Sequence, residues 1–230
     1  MVRAAGIQLR HGRPQYFSPD PAYQQKEAAL LAALQHIGQQ PGRVVGLFVD
    51  ELSYTCWPEP SLDWCAQAPE PRPLADRKQS RYQRYRVVGA LDASSGRVHV
   101  HQDSRIDREV FNRFIHHLDQ AYPQAERLYL IWDNWPVHHS DVVTETLAQL
   151  PRLQVIALPT YAPWLNPIEK LWRKFRQEVD YLHPLADDWK RLRERVQAFF
   201  DQFAHGSGDL LRYVGLQGTG KLASALHARP

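Results

Sequence analysis

The stretch Val44-Val45-Gly46-Leu47-Phe48-Val49-Asp50 decides how the rest of the chain is read. An unbroken apolar run of this length is the pattern of a strand buried on both faces. A strand is therefore predicted over 44–49, with Asp50 at its end. The pattern recurs in Leu128-Tyr129-Leu130-Ile131-Trp132-Asp133. A carboxylate just past the C-terminal end of a buried strand stands at the sheet edge, where α/β folds bind their ligands. Two ionised carboxylates at neighbouring strand ends repel one another, and cations relieve the repulsion.

Working outward, residues 18–39 have a helical apolar face of Ala28, Leu30, Leu31, Leu34 and Ile37. Ser18 is placed to cap that helix, and Gly38 and Pro41-Gly42 to end it. Residues 51–86 are rich in Pro, Trp and charge and are expected to form a long basic and aromatic insertion. Loops of such length inside a domain are usually functional. Val87–Ala93 and Arg97–Gln102 make a hairpin turned by Ser94-Ser95-Gly96. Helices are predicted over 108–121 (capped by Asp107), 140–149 (capped by Ser140), 167–182 and 188–203, with a strand over Leu153–Leu158. Meandering strands followed by alternating helix and strand give an α/β fold, a mixed sheet with helices on both faces. The expected division is an N-terminal arm and helix over 1–42, the main domain over 43–205, and a flexible tail over 206–230.

The chain's 230 residues carry a net charge of only +3, but the cations are clustered. Arg72, Arg77, Lys78, Arg81, Arg84 and Arg86 face a single acid, Asp76, within 72–86. Lys170, Arg173, Lys174 and Arg176 fall within seven residues that hold no acid. Concentrated positive charge of this kind suits a polyanion such as DNA. No apolar run reaches the roughly 20 residues of a membrane span, and the first 13 residues have no secretory apolar core, so the expected compartment is the cytoplasm. The two cysteines, Cys56 and Cys65, lack zinc-finger spacing and read as reduced thiols.

The third acidic candidate is Glu169, in Leu158-Pro159-Thr160-Tyr161-Ala162-Pro163-Trp164-Leu165-Asn166-Pro167-Ile168-Glu169. Asn166 and Pro167 make a good helix start, which puts Glu169 in the first turn, where the helix dipole favours a carboxylate. At 100° per residue, Ile168, Leu171, Trp172, Phe175, Val179 and Leu182 form one apolar stripe. Glu169 lies on its edge with Arg173 and Arg176.

These three blocks, together with Asn134-Trp135-Pro136-Val137-His138 after Asp133, resemble the signature blocks of the DDE transposases of the mariner superfamily. The likeness is greatest to the bacterial insertion-sequence branch called the six-thirty family. It spans roughly residues 14–205, and the 36 positions from Asp133 to Glu169 fit it. The resemblance implies an RNase H-like fold and a two-metal site for Mg²⁺ or Mn²⁺ on Asp50, Asp133 and Glu169. It implies cleavage of transposon ends and strand transfer into target DNA, by a homodimer on DNA in the bacterial cytoplasm at the nucleoid. Glu51, Asn134, His138 and Asn166 are then expected to support the site, with DNA contact as the other role open to Asn134 and His138. Arg81, Arg84, Arg86, Lys170, Arg173, Lys174 and Arg176 are expected to contact DNA. Trp135 stands where the family has a small residue and is expected to narrow the site; Trp164 stands at a position that is often polar. The family's usual helix-turn-helix modules have no room here, so either the chain is truncated or a separate helix-turn-helix subunit or upstream frame is the expected partner.

Two other readings fit the same residues: an RNase H-like nuclease that cuts without joining, and a domesticated domain that binds DNA without cutting. The intact triad argues against the second. Gly215-Leu216-Gln217-Gly218-Thr219-Gly220-Lys221 imitates a phosphate-binding loop, but Leu222 stands where Ser or Thr is needed. The paired histidines lack a zinc framework. Trp57, Trp64, Tyr82 and Tyr85, set among the arginines, can stack on unpaired bases; for Trp57 and Trp64 the favoured alternative is a local apolar cluster that anchors the insertion.

Overall fold

The computed structural model describes residues 17–64, 72–77 and 82–228. Its centre is a five-stranded sheet of β1 (Val44–Thr55), β2 (Arg84–Asp92), β3 (Val98–Asp103), β4 (Arg127–Trp132) and β5 (Leu153–Ala157), in the order β3-β2-β1-β4-β5. β1 is antiparallel to β2 and parallel to β4, and β5 is parallel to β4. β2 and β3 form the expected hairpin.

The predicted end of β1 at Asp50 is corrected. The ladder with β2 continues through Asp50↔Gly89 to Thr55↔Arg84, so Asp50 lies inside the strand. The parallel ladder with β4 stops at Phe48↔Ile131, and β4 itself stops at Trp132. Asp50 is therefore mid-strand on one side and past the end of its neighbour on the other. The 51–86 insertion shrinks accordingly, since residues 51–55 and 84–86 are strand. In the described part of what remains, Trp57 packs on Tyr82 with ring centroids 4.9 Å apart, whereas Trp64 is exposed and anchors nothing.

Alternation along β1 sends successive side chains to opposite faces. Val44, Phe48, Leu52 and Tyr54 join one apolar layer; Val45, Leu47 and Val49 join the other. The first layer is covered by α1 (Tyr23–Gln39), α4 (Ile168–Phe175), α5 (Trp189–Asp201), α6 (Gly208–Val214) and α7 (Lys221–Leu226). The second is covered by α2 (Arg108–Ala121) and α3 (Asp141–Gln149). Among the described residues no helix is long and apolar enough to cross a membrane.

Residues 206–228 are not a flexible tail. Leu210, Leu211, Val214, Leu216, Leu222, Ala225 and Leu226 are buried in the first layer. Gly38, expected to end α1, lies within it instead. A Cβ there would fall 1.8 Å from the carbonyl oxygen of Leu226, so its bare backbone is what lets α7 dock.

Other helix ends also differ from their predictions. α1 begins at Tyr23, and Ser18 instead donates to the carbonyl of Thr160 at 2.5 Å. Ser140 precedes α3, but its hydroxyl donates to Val137 O at 2.9 Å, satisfying the tight turn Pro136–His139 before it. The helix predicted over 167–182 is α-helical only to Phe175 and then widens into a π-helical turn, Arg176–Asp180, closed by Tyr181 N donating to Arg176 O at 2.8 Å. The cap on α2 is as predicted, with Asp107 accepting from the backbone of Glu109 and Val110.

Candidate active site

Asp50 is 8% exposed and projects to the face covered by α4. One of its oxygens, Oδ2, accepts from Asn166 Nδ2 and from Trp172 Nε1, each at 3.1 Å. The other, Oδ1, accepts from the Glu51 amide at 2.8 Å. Asn166 therefore serves α4 through its backbone, with Glu169 N donating to Asn166 O at 3.1 Å, and gives its side chain to Asp50. The side-chain cap expected of Asn166 is not made. Its Oδ1 is buried without a hydrogen-bond partner.

Two residues that sequence reasoning passed over fix this arrangement. Trp172 was read as one more member of the apolar stripe, yet a buried indole N–H needs an acceptor, and Asp50 supplies it. Gly89 sits opposite Asp50 in β2, and a Cβ there would meet Trp172 Cη2 at 2.5 Å. The missing side chain is the notch in which the indole lies. An isolated glycine inside a strand pattern was the available signal, because it marks a close approach.

Asp133 follows β4 and is exposed, with Oδ1 accepting from Trp135 N at 3.1 Å. His138 is buried and lies behind it, stacked on Trp132 with centroids 4.4 Å apart. Burial pushes the His138 imidazole down to about 4, so it is neutral, and Nδ1 donates to the backbone oxygen of Asp133 at 3.0 Å. Asn134 is exposed and pairs with His139 at 2.7 Å. Trp135 does not narrow the site as expected. It packs against Phe111 and His138 and lines a different groove.

The acids act on one another. Burial, then the charge of Glu169 and, more weakly, that of Asp133 push the Asp50 carboxyl up to about 7. Glu51, on the opposite face of β1, is pushed up to about 8 by burial, then by Asp50 and Asp133, against the pull of Arg86. Glu169 is raised by partial desolvation and by Asp133, while Arg176 and Arg173 oppose the rise. Asp133 and Glu169 share a pocket of about 220 Å³ with Asn166 and the loop Leu158–Pro163. Among the described residues, no group of three or more His, Cys, Asp or Glu already stands at metal-ligating spacing.

The expected DNA-contacting cations divide. Arg173 and Arg176 are exposed on the Glu169 side of α4. Lys170 and Lys174 turn the other way. Lys170 donates to Val214 O at 2.9 Å, and Lys174 pairs with Glu178 and lies over the Tyr213 ring. Both brace α6, through Val214 and the Tyr213 ring. Arg84 and Arg86 line a groove of about 930 Å³ with Arg105, Arg108 and Trp135. Arg81 lies outside the described residues.

A mixed sheet in the order β3-β2-β1-β4-β5, helices on both faces and acids gathered where β1 outruns β4 define an RNase H-like domain. Residues 47–193 match the family model described as DDE superfamily endonuclease, and the chain belongs to that family. Divalent-metal use goes with it. The "Insertion element IS630 uncharacterized 39 kDa protein" of Shigella sonnei is 26% identical over 198 residues, which cover 86% of this chain and 56% of that protein. The chain thus spans little more than half of this relative. Among solved structures, the Mos1 transposase paired-end complex with left transposon end superimposes with a TM-score of 0.65 at 16% identity, covering 98% of this chain and 67% of the other. The catalytic domain of Mos1 mariner transposase gives 0.55 at 14% identity, covering 94% of each. The RNase H-like fold and the family expected from the three sequence blocks are those found.

Proposed function

We propose that this chain is the catalytic part of a DNA transposase that cuts transposon ends and joins the freed 3′ hydroxyl to target DNA. The observation that carries the reading is the buried carboxylate of Asp50, raised by the charges of Glu169 and Asp133 and set beside the orphaned Oδ1 of Asn166. An all-oxygen, mutually repelling donor set suits hard divalent cations. Mg²⁺ or Mn²⁺ would be held by Asp50, Asp133 and Glu169. Mos1 complexes described with Mn and with Mg are in keeping with that choice. Two such ions, when bound, activate the attacking oxygen and neutralise the leaving one.

The chain's own residues do the rest. Asn166, Trp172 and the Glu51 amide fix the rotamer of Asp50, and His138 and Trp135 N fix Asp133. Glu169 starts α4, where side-chain rotation can draw it toward the other two. Arg173 and Arg176, on the same helix edge, take the phosphates of the bound strand, and the Arg84–Arg108 groove takes a flanking segment. The paired-end complex of Mos1 transposase with transposon-end DNA supports extending this reading to a homodimer on DNA, with a separate helix-turn-helix subunit or frame as the partner that reads the ends.

The test is nicking of duplex DNA by the full chain with Mg²⁺ or Mn²⁺, followed by capture of the 3′ end in a target duplex. Cleavage is expected only with metal and is expected to be lost in Asp133→Ala. Cleavage that survives a chelator or that substitution overturns the proposal, and cutting without end-joining reduces it to a nuclease.

A further inference from the structure

The wall of the acidic pocket carries one exposed aromatic residue on a strained backbone. Tyr161 lines that pocket with Asp133 and Glu169, is 78% exposed, and has φ +53°. A bulky residue in the left-handed region is a conformational outlier. Such strain persists only where the surroundings impose it, and it gathers at functional sites.

Here the surroundings impose it from both sides. Thr160 is gripped by the N-terminal arm, its oxygen accepting from Ser18 Oγ at 2.5 Å and its amide donating to Asp20 Oδ2 at 2.9 Å. Asp20 is itself fixed by Lys26 at 2.8 Å and the Ala22 amide at 2.9 Å. After Tyr161, Ala162 is buried, and its oxygen accepts from Leu165 N at 3.0 Å to open the tight turn Pro163–Leu165. The backbone is rigid on either side, and the ring is held out over the rim of the pocket. Nearby Trp164 differs, since its Nε1 donates to Tyr23 Oη at 3.0 Å and ties it to α1.

We propose that Tyr161 is a stacking platform for a nucleobase of the strand being cut, next to the scissile phosphate. This rests on the reading of the acidic pocket as a DNA-cutting site. An exposed ring gains nothing from the protein core, but it offers a base a fixed, desolvatable π-face. Stacking of this kind tolerates any base. It would hold a nucleotide splayed from the duplex while its phosphate lies at Asp133 and Glu169. The ring, rather than the phenol hydroxyl, supplies the contact.

The test crosses two deletions. Duplexes carry a single abasic site at each position flanking the cut, and the protein carries Tyr161→Gly or Tyr161→Phe. Glycine accepts positive φ freely, so Tyr161→Gly removes the ring and the strain together and should melt no lower than the wild type. Wild-type protein and Tyr161→Phe should bind and cut one abasic duplex roughly tenfold to a hundredfold less well than the intact one, the worth of one stacked base. Tyr161→Gly should treat the two duplexes alike, near the wild-type level on the abasic one. Metal-dependent cutting by the wild type that ignores every abasic position overturns the platform alone. So does Tyr161→Gly acting on intact DNA as the wild type does. Absence of metal-dependent cutting overturns the platform together with the site reading beneath it.

Discussion

The sheet buries a carboxylate toward each of its two ends, and the two are treated in opposite ways. Asp92, at the end of β2, faces the α2 side. Its Oδ1 accepts from the amides of Ser94 and Ser95 at 2.8 and 3.1 Å, and its Oδ2 from Tyr122 Oη at 3.1 Å. The network continues through His99, whose ring bonds Tyr122 Oη at 3.1 Å and His117 Nε2 at 3.3 Å. Asp50, facing α4, also has donors, but it is pushed up to about 7 by burial, Glu169 and Asp133, and its partner Asn166 keeps an orphaned oxygen. A closed buried network specifies structure, whereas a half-satisfied one costs stability unless something else completes it. The first end is a joint; the second is where cations are proposed to bind.

The sharpest way to break this contrast is Asp50→Asn. It should lower metal-dependent cleavage at least about a thousandfold, since a metal ligand is lost, yet leave the melting temperature of the metal-free protein unchanged or higher, because a desolvated charge is removed. A clear drop in melting temperature would show that Asp50 is a joint like Asp92. Next comes Gly89→Ala, which pushes Trp172 out of its notch and frees Asp50. Misplacement on the scale of an ångström costs about a hundredfold in rate, so kcat should fall by ten- to a hundredfold with a modest stability loss and a changed near-ultraviolet circular dichroism signal. Unchanged kcat would separate Trp172 from the chemistry.

At the other end, Asp92→Ala should destabilise the fold by about 1–3 kcal/mol by taking the acceptor from the Tyr122 O–H and from two turn amides, with per-molecule cleavage preserved. Urea unfolding beside a cleavage assay checks both halves. The smallest effect is a pH slope. Burial, then Arg97 and His117, push the His99 imidazole down to about 4 from its ordinary 6.5. The unfolded chain therefore takes a proton below 6.5 that the native state refuses. This contribution is fully present above pH 6.5 and is lost as pH falls toward 4. His99→Gln should give a shallower fall of the urea midpoint over that window; an identical fall would place the acid sensitivity in His138 and His183, which burial shifts likewise.

Local pattern made much of this molecule legible. The apolar runs ending near Asp50 and Asp133 gave two central strands, and the Asp107 cap and apolar face of α2 gave that helix to the residue. Ser94-Ser95-Gly96 gave the β2–β3 turn. The helical stripe of α4 put Glu169, Arg173 and Arg176 on one edge, because 3.6-residue periodicity is a property of the segment itself. What failed was whatever depended on a distant partner. Ser18 looks like a cap until Thr160 arrives to take its hydroxyl, and Asn166 until Asp50 does.

The sequence by itself determined the mixed α/β fold, the acidic edge and the family, since these follow from side-chain period and from three contiguous blocks. Only the tertiary structure decided the end of β1, because the strand length depends on β2, some thirty residues away. It decided that Lys170 and Lys174 brace α6, and that residues 206–228 complete the core, because short apolar segments show no period until a surface receives them. It decided above all that Gly89 makes room for Trp172 to reach Asp50, since the space a missing Cβ leaves has no meaning until another element fills it.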